Sequence, residues 1–259
     1  MPDRAGTDLV TGGAGFIGSH LVRELLCRGR GVRVVDDLST GDLRRLDSVA
    51  GEIELIRADL VTADIAPLVR DVDRVFHLAA VPSVPRSVKD PITSHHASAT
   101  ATLRLLIGAR DAGVRRVVLS SSSSVYGETD VLPKHEALRP QPVAPYAVAK
   151  LAAEGYARVF ARLYGLTTVS LRYFNIFGPW QDPSSEYAAV IPLFVTRALS
   201  GHPLVIYGDG SQTRDFTYVE NAVLANIAAA GSDVAGGCTF NIAAGRPVSI
   251  NELVRAVAK

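Results

Sequence analysis

Residues 11–20 read TGGAGFIGSH. Gly12, Gly15 and Gly18 recur every third residue directly after the apolar run 7–11 and open a stretch with helical periodicity. That pattern predicts a strand passing through a tight turn into a helix, with backbone N–H groups placed to hold a pyrophosphate on the helix N-terminus. Glycines also serve turns that bind nothing, so the residues around them decide the reading.

Outward from that turn, short apolar runs near 7–11, 32–36, 53–57, 74–78, 115–121 and 167–172 alternate with longer amphipathic stretches. Strands separated by helices predict βαβ crossovers and a parallel sheet covered on both faces: an α/β, Rossmann-type doubly wound fold. Residues 1–172 are expected to form the dinucleotide-binding domain, with strands returning from about 212–243. Residues 173–259 are expected to supply most of a smaller, interleaved C-terminal part. GPWQDPSSEY at 178–187 reads as a loop before a helix from about Ala189 to Ser200.

Composition narrows the function classes. The 259 residues are 47% hydrophobic and 20% charged, with a net charge of +1, so no global field draws nucleic acid or an anionic membrane. Cys27 and Cys238 lie far apart, and His20, His77, His95, His96, His135 and His202 show no ligand spacing, so no metal site is expected. The most apolar stretch, NAVLANIAAAG, is short and broken by Asn221 and Asn226, so no membrane span is expected, and the cytoplasm is the expected location.

Asp36 ends the second predicted strand in VRVVDD, where a carboxylate can accept hydrogen bonds from an adenosine ribose. Beside Asp36 and Asp37 a 2′-phosphate meets like charge, and the nearby strand arginine, Arg33, precedes the turn; NAD is expected rather than NADP. Asp59, in RADL, sits either where it reaches the adenine edge or as a helix N-cap. In PYAVAK, Tyr146 and Lys150 are four apart behind Pro145, which stacks both on one helix face. A phenol acting as a base near pH 7 must have its ionisation eased by about 4 kcal/mol, and a neighbouring ammonium and a cationic nicotinamide are the expected sources.

Taken together, TGGAGFIGSH, DDLSTG, RADL, VFHLAA, SSSSSVYGE, PYAVAK, LRYFNIFGP and YGDGSQTRDFTYVEN resemble the signatures, in order, of the extended short-chain dehydrogenase/reductases, and within them the NAD-dependent sugar-nucleotide epimerases and dehydratases. The resemblance covers nearly the whole chain. It implies that Tyr146 is the catalytic base, that Lys150 lowers its pKa and binds the nicotinamide ribose, and that Ser122 bonds the reacting sugar hydroxyl. It also implies cofactor contacts from Phe16 and Ile17 in the glycine turn, from Leu60 beside Asp59, from Leu78, Ala79 and Ala80 in VFHLAA, and from Tyr173. Sugar-nucleotide contacts are expected from Asn175, from a helix beginning near Ala189 and Val190, from Tyr207, and from Arg214 on the diphosphate. Ser83 and Arg86 are further sugar-side candidates. One departure is that Ser98 and Ala101 stand where the family often has Asn and Gly, which weakens or reroutes a cofactor contact.

The serine run sharpens the expected activity. Sugar 4,6-dehydratases of the family resemble an Asp-Glu pair after the Ser122 position, and decarboxylases typically carry a Glu at the second place; here these are Ser123 and Ser124. A serine cannot act as a general base at neutral pH. Elimination is thereby disfavoured, and Ser123 becomes a further candidate substrate contact. The expected function is an NAD-dependent 4-epimerase of a UDP-hexose, glucose/galactose or their N-acetyl forms, acting as a homodimer through a 4-keto intermediate. The alternatives are a dehydratase or decarboxylase of the family, a uronate 4-epimerase, or a non-catalytic NAD-binding protein. The sequence ends in the helical pattern SINELVRAVAK where relatives continue for several dozen residues, so the C-terminal part is read as incomplete. A second phosphate arginine, a uridine-ribose acid and the residue gating N-acetylated sugars are expected in that continuation.

Overall fold

A computed structural model describes residues 6–183 and 189–258; residues 184–187, the end of the predicted 178–187 loop, lie outside the described residues. Ten strands are present among the described residues: β1 (Thr7–Thr11), β2 (Gly31–Asp36), β3 (Ile53–Arg57), β4 (Val72–His77), β5 (Arg116–Ser122), β6 (Thr167–Tyr173), β7 (Asn175–Phe177), β8 (Thr213–Tyr218), β9 (Cys238–Ile242) and β10 (Pro247–Ser249). Nine α-helices accompany them: α1 (Phe16–Cys27), α2 (Ala66–Val69), α3 (Val84–Lys89), α4 (Pro91–His95), α5 (Ala101–Asp111), α6 (Pro145–Tyr164), α7 (Val190–Leu199), α8 (Val219–Gly231) and α9 (Ile250–Val257).

Seven of the strands form one parallel sheet in the order β3-β2-β1-β4-β5-β6-β9, and β10-β8-β7 form a small second sheet. The doubly wound reading holds. β9 joins the main sheet beside β6, with Val169 opposite Cys238, so the later chain contributes to both units. β8 instead lies in the small sheet, parallel to β7 and antiparallel to β10.

The strands read as continuous apolar runs because both faces are covered. Successive residues enter opposite cores: Val75, Val117 and Leu119 pack under α5 and α6, while Val10, Phe76 and Val118 pack under α1 and α8. Fully burying such a side chain contributes about 1.5–3 kcal/mol, and Phe76→Ala would cost about 3–5 kcal/mol. The small unit has its own core around Phe194, Ile250 and Leu253.

Helix α6 begins with Pro145 at its first turn and stops at Gly165, whose φ of 69° only glycine adopts freely. Its buried stripe of Ala147, Ala149, Ala153, Ala157 and Phe160 is interrupted by two charged residues, Lys150 and Glu154. At the N-terminal ends of the strands, Asp8 is wholly buried and takes Arg30 (2.9 Å) and Arg74 (2.6 Å), while Asp73 joins Arg30 (2.8 Å) and Arg115 (3.0 Å). The C-terminal ends carry the cleft. Among the described residues no helix is long and apolar enough to cross a membrane.

Candidate active site

A cleft of about 1290 Å³ runs along the C-terminal ends of β1, β2, β4, β5 and β6. Its first wall is the glycine turn. Gly12 has φ 70°, and a Cβ there would lie 2.7 Å from the Ala79 nitrogen, so only glycine lets the turn pass under the end of β4. Gly18 is equally closed to a side chain by the carbonyl of Gly12. The N-cap of α1 is Gly15, and no side chain caps the helix or places an acid in its first turn. The first N–H groups of a twelve-residue helix therefore open onto the cleft with no capping side chain among the described residues, the arrangement that suits a pyrophosphate.

Asp36 sits 6% exposed at the end of β2. Its carboxylate accepts the N–H groups of Ala14 and Leu38, both at 2.9 Å. Burial raises its pKa, and those two N–H groups oppose the rise. A second acceptor site remains on each oxygen, so the carboxylate both shapes the loop and fits a ribose diol. Asp37 is exposed and accepts from Ser39, while Asp59 lines the cleft and accepts the Val61 N–H at 2.8 Å within a turn; it caps no helix, since α2 begins only at Ala66 behind Ile65. The uncapped helix, the glycine cradle and Asp36 together fit a dinucleotide.

Sequence reasoning missed two guanidinium groups on this wall. Arg33 turns away to Glu54 and the carbonyls of Leu68 and Arg70. Arg44 is neutralised by Asp42 at 2.6 Å, and the buried Arg45 donates to Ala14 O and Trp180 O, both at 3.2 Å. Both lie in the first turn of a 3₁₀ segment, Leu43–Glu52, whose sequence carries no regular strand or α-helix pattern to mark them. Phe174, Ile176 and Trp180 to Pro183 also line the cleft and were not anticipated.

Deeper in, Leu78, Ala79 and Ala80 follow β4, Ala97 comes from a π-helical turn over His96–Thr100, and Ala101 opens α5 directly after it. A chain of hydrogen bonds sets this wall. Thr102 donates to Ser98 O at 2.5 Å, so His77 donates Nε2–H to Thr102 Oγ1 (2.9 Å), and His77 Nδ1 accepts from Thr11 (2.7 Å). Burial, with the Lys150 charge adding, pushes the imidazole down to about 3 and keeps it neutral.

At the far end Ser120, Ser121, Ser122, Tyr146, Lys150 and Tyr173 share the wall. Tyr146 and Lys150 project from one face of α6, with Nζ 5.9 Å from the centre of the Tyr146 ring. Lys150 Nζ donates to Ser120 O at 2.8 Å and to Ser120 Oγ at 3.3 Å. Ser122 Oγ accepts from the Ser124 N–H (3.2 Å) and hydroxyl (2.8 Å), leaving its own proton to face the Tyr146 phenol and favour its ionised form. In the protein alone, burial dominates: the Tyr146 phenol is pushed up to about 12, with Ser122 opposing the rise, and the Lys150 ammonium is pushed down to about 8, with Glu154 opposing the fall. The expected easing of the phenol's ionisation is thus not supplied by Lys150 and the protein matrix by themselves, because desolvation outweighs them.

Every expected cofactor contact lines the cleft, as do Ser83, Arg86, Ser122 and Ala189 among the expected substrate contacts. Ser83 caps α3 by accepting the Arg86 N–H at 3.1 Å. The described wall does not include Ser123, Asn175, Val190, Tyr207 or Arg214. Ser123 starts a 3₁₀ turn, and Val190 opens α7 one residue after Ala189. Asn175 donates to Asp215 O at 3.0 Å, Tyr207 is 83% exposed, and Arg214 donates to Thr213 O at 2.8 Å on β8. Arg214 is not tied up by its acidic neighbours, since Asp215 takes the N–H groups of Ala244 and Gly245 and Asp209 takes that of Ser211. No group of His, Cys, Asp and Glu suited to a metal occurs among the described residues.

Residues 9–243 match the NAD dependent epimerase/dehydratase family. The UDP-glucose 4-epimerase of Mycolicibacterium smegmatis is 42% identical over 255 residues, covering 96% of this chain and 81% of that protein. The UDP-N-acetylglucosamine 4-epimerase of Methanobrevibacter ruminantium, solved with UDP-N-acetylmuramic acid, superposes with a TM-score of 0.94 at 42% identity, over 98% of this chain and 81% of its own. The UDP-glucuronic acid 4-epimerase of Bacillus cereus, solved with UDP-glucuronic acid and NAD, has a TM-score of 0.89 at 32% identity, over 97% and 82%.

Proposed function

Because the chain belongs to the NAD-dependent epimerase/dehydratase family, an enzyme family whose cofactor is NAD, we propose that it is a 4-epimerase of a UDP-hexose, with glucose/galactose or their N-acetyl forms as substrates. One observation carries this reading. Tyr146, Lys150 and Ser122 converge on the cofactor cleft, while the carboxylates lining its described wall are Asp36, Asp37, Asp42, Asp59 and Asp182, none of them on β5, the turn after it or α6. Proton transfer at one hydroxyl is therefore provided for, and acid–base chemistry at a neighbouring carbon is not.

NAD, when bound, would supply an acceptor and then a donor for hydride, with a positive charge on its nicotinamide in the oxidised form. The residues of the chain do the rest. Tyr146 takes the proton of the sugar 4-hydroxyl and later returns it to the ketone oxygen. Ser122 donates to the phenolate oxygen and orders the sugar hydroxyl beside it. Lys150 holds the nicotinamide ribose and keeps a cation near the phenolate. Inversion requires that the 4-keto sugar present its other face before the proton returns, so the hexose must be gripped loosely and the UDP tightly. Asn175, Val190, Tyr207 and Arg214 are proposed as nucleotide-side contacts and Ser83, Arg86 and Ser123 as sugar-side ones. Association as a homodimer is supported by the exposed apolar Val148, Val159 and Leu163 on α6 and Ile107 on α5.

Incubation of the NAD-loaded protein with UDP-galactose, UDP-N-acetylgalactosamine and UDP-galacturonate in turn, followed by NMR, tests the reading. The matching gluco sugar is expected from one of the first two. Conversion of the uronate alone would assign the activity to a uronate 4-epimerase, and a 4-keto-6-deoxy sugar or released carbon dioxide would overturn the epimerase assignment.

A further inference from the structure

Three consecutive serines at the end of β5 engage three side chains spaced four apart on α6. Ser120 takes Lys150, Ser122 faces the Tyr146 phenol, and Ser121 between them donates its hydroxyl to Glu154 at 2.5 Å. The i, i+4, i+8 spacing places Tyr146, Lys150 and Glu154 along one helix face. The same Glu154 carboxylate accepts both Nε (2.9 Å) and Nη2 (2.7 Å) of Arg172. Arg172 is the register partner of Ser121 on the adjacent strand β6, and Tyr173, which follows it, lines the cleft. One carboxylate therefore ties two neighbouring strands to the helix, at the residue between the two serines that hold the proposed catalytic pair.

Stability is a poor reason for this arrangement. Glu154 is 2% exposed and Arg172 3%, and the buried Nη1 of Arg172 has no hydrogen-bond partner among the described residues. Apolar residues of similar volume in place of such a pair are often as stable or more so. What the pair does supply is a fixed point, because a bidentate buried carboxylate leaves Ser121 little freedom to shift along or across the sheet.

We propose that Glu154 is a positioning residue: clamped by Arg172, it fixes Ser121 and thereby sets Ser120 against Lys150 and Ser122 against Tyr146. The proposal rests on the roles given above to Tyr146 and Lys150. Misplacing a reacting group by about 1 Å can cost about a hundredfold in rate, so relaxing this link would appear in kcat and in the hold of Lys150 on the cofactor ribose.

Ser121→Ala is the deciding variant, since it cuts the link and leaves the Glu154–Arg172 pair intact; Glu154→Gln is its companion, and Ser121→Thr restores a hydroxyl. Two readouts are taken on the full chain. NAD binding is titrated through the fluorescence of Trp180, the single tryptophan, which lines the cleft, and kcat and KM are measured on whichever UDP-sugar the wild type converts. The expected result for Ser121→Ala is a fall in kcat of about tenfold or more with KM within about twofold, weaker NAD binding, and recovery of both in Ser121→Thr. Wild-type kcat and NAD affinity in Ser121→Ala would overturn the proposal, whether or not Glu154→Gln folds. Loss in Ser121→Thr equal to that in Ser121→Ala would also overturn it, because packing rather than the hydrogen bond would then be responsible. If the wild type converts no sugar, the epimerase reading falls, and the NAD titration of Ser121→Ala against Ser121→Thr still decides the role of Glu154.

Discussion

Arg45 donates to the carbonyl of Trp180 at 3.2 Å, joining the segment after β2 to a loop 135 residues further along the chain. His20 on α1 makes a second tie, to Pro179 O at 3.0 Å. The loop they hold lines the cleft, joined through Arg45 to the Ala14 carbonyl of the glycine turn, and Trp180 within it has a left-handed φ of 68°. Backbone in that region is held only where surrounding contacts over-determine it. The loop after β7 is thus tied to α1 and to the segment after β2.

Arg45→Ala should therefore loosen NAD more than it loosens the fold. A hydrogen bond from a charged group contributes about 1.5–3 kcal/mol, so roughly a tenfold or greater rise in the NAD dissociation constant is expected. NAD content after gel filtration and the Trp180 titration check it. Retention equal to wild type would show that the tie is incidental.

Asp36→Ala should abolish NAD retention while melting only a few degrees below wild type, since the carboxylate's protein partners are two loop N–H groups rather than the core. NADP should bind the wild type far more weakly than NAD, because Asp36 and Asp37 meet its 2′-phosphate with like charge. Competition titration of the two cofactors checks both points, and equal affinities would refute the assigned role of Asp36.

Within the serine run, Ser122→Ala should cut kcat by about a hundredfold with little change in UDP affinity, as removal of one oriented donor does elsewhere. Ser120→Ala should cost less, because its carbonyl still holds Lys150 at 2.8 Å. Steady-state kinetics on the two single variants gives the ranking.

The Tyr146 phenol is pushed up to about 12 in the protein alone. A bound pyridinium cation favours the phenolate, so NAD binding should release a proton, and NAD affinity should rise with pH up to the free-protein value. Tyr146→Phe should flatten that dependence and abolish interconversion. Binding measured between pH 6 and 9 in both proteins gives the slopes, and parallel slopes would remove Tyr146 as the linked group.

His77 makes folding sensitive to acid. Its imidazole is held near 3 in the folded chain, whereas in the unfolded chain it takes up a proton near pH 6.5. Unfolding then binds a proton throughout that interval, so the contribution is complete above pH 6.5 and declines as pH falls, by about 1.4 kcal/mol for each pH unit at most. Melting temperatures from pH 7 to 4.5, above the range of the ion-paired carboxylates, should fall for the wild type and fall less for His77→Gln.

The sheet and its cofactor edge were legible because glycine spacing, β-branched runs and a strand-ending Asp36 are local signals. Arg45, Trp180 and Glu154 were not, for a physical reason. Each acts across a long loop or through a buried partner, and their sequence neighbourhoods look like ordinary turns or an ordinary amphipathic face. Glu154 had one visible clue, its place one helical step beyond Tyr146 and Lys150. Ser120 and Ser121 hold Lys150 and Glu154, a pairing that no local pattern announces, since a strand's end meets a helix only in three dimensions.

The ion cluster of Asp8, Arg30, Arg74, Asp73 and Arg115 occupies the opposite rim of the same sheet from the cleft. Its members share strands with the reactive end but no contacts with it among the described hydrogen bonds. A lineage moving to a hotter or saltier habitat can thus retune this rim, exchanging charges for apolar packing or the reverse, without altering which sugar is turned over. The two rims of one sheet thereby carry separate demands, one for charge pairing and one for the shape of the cleft.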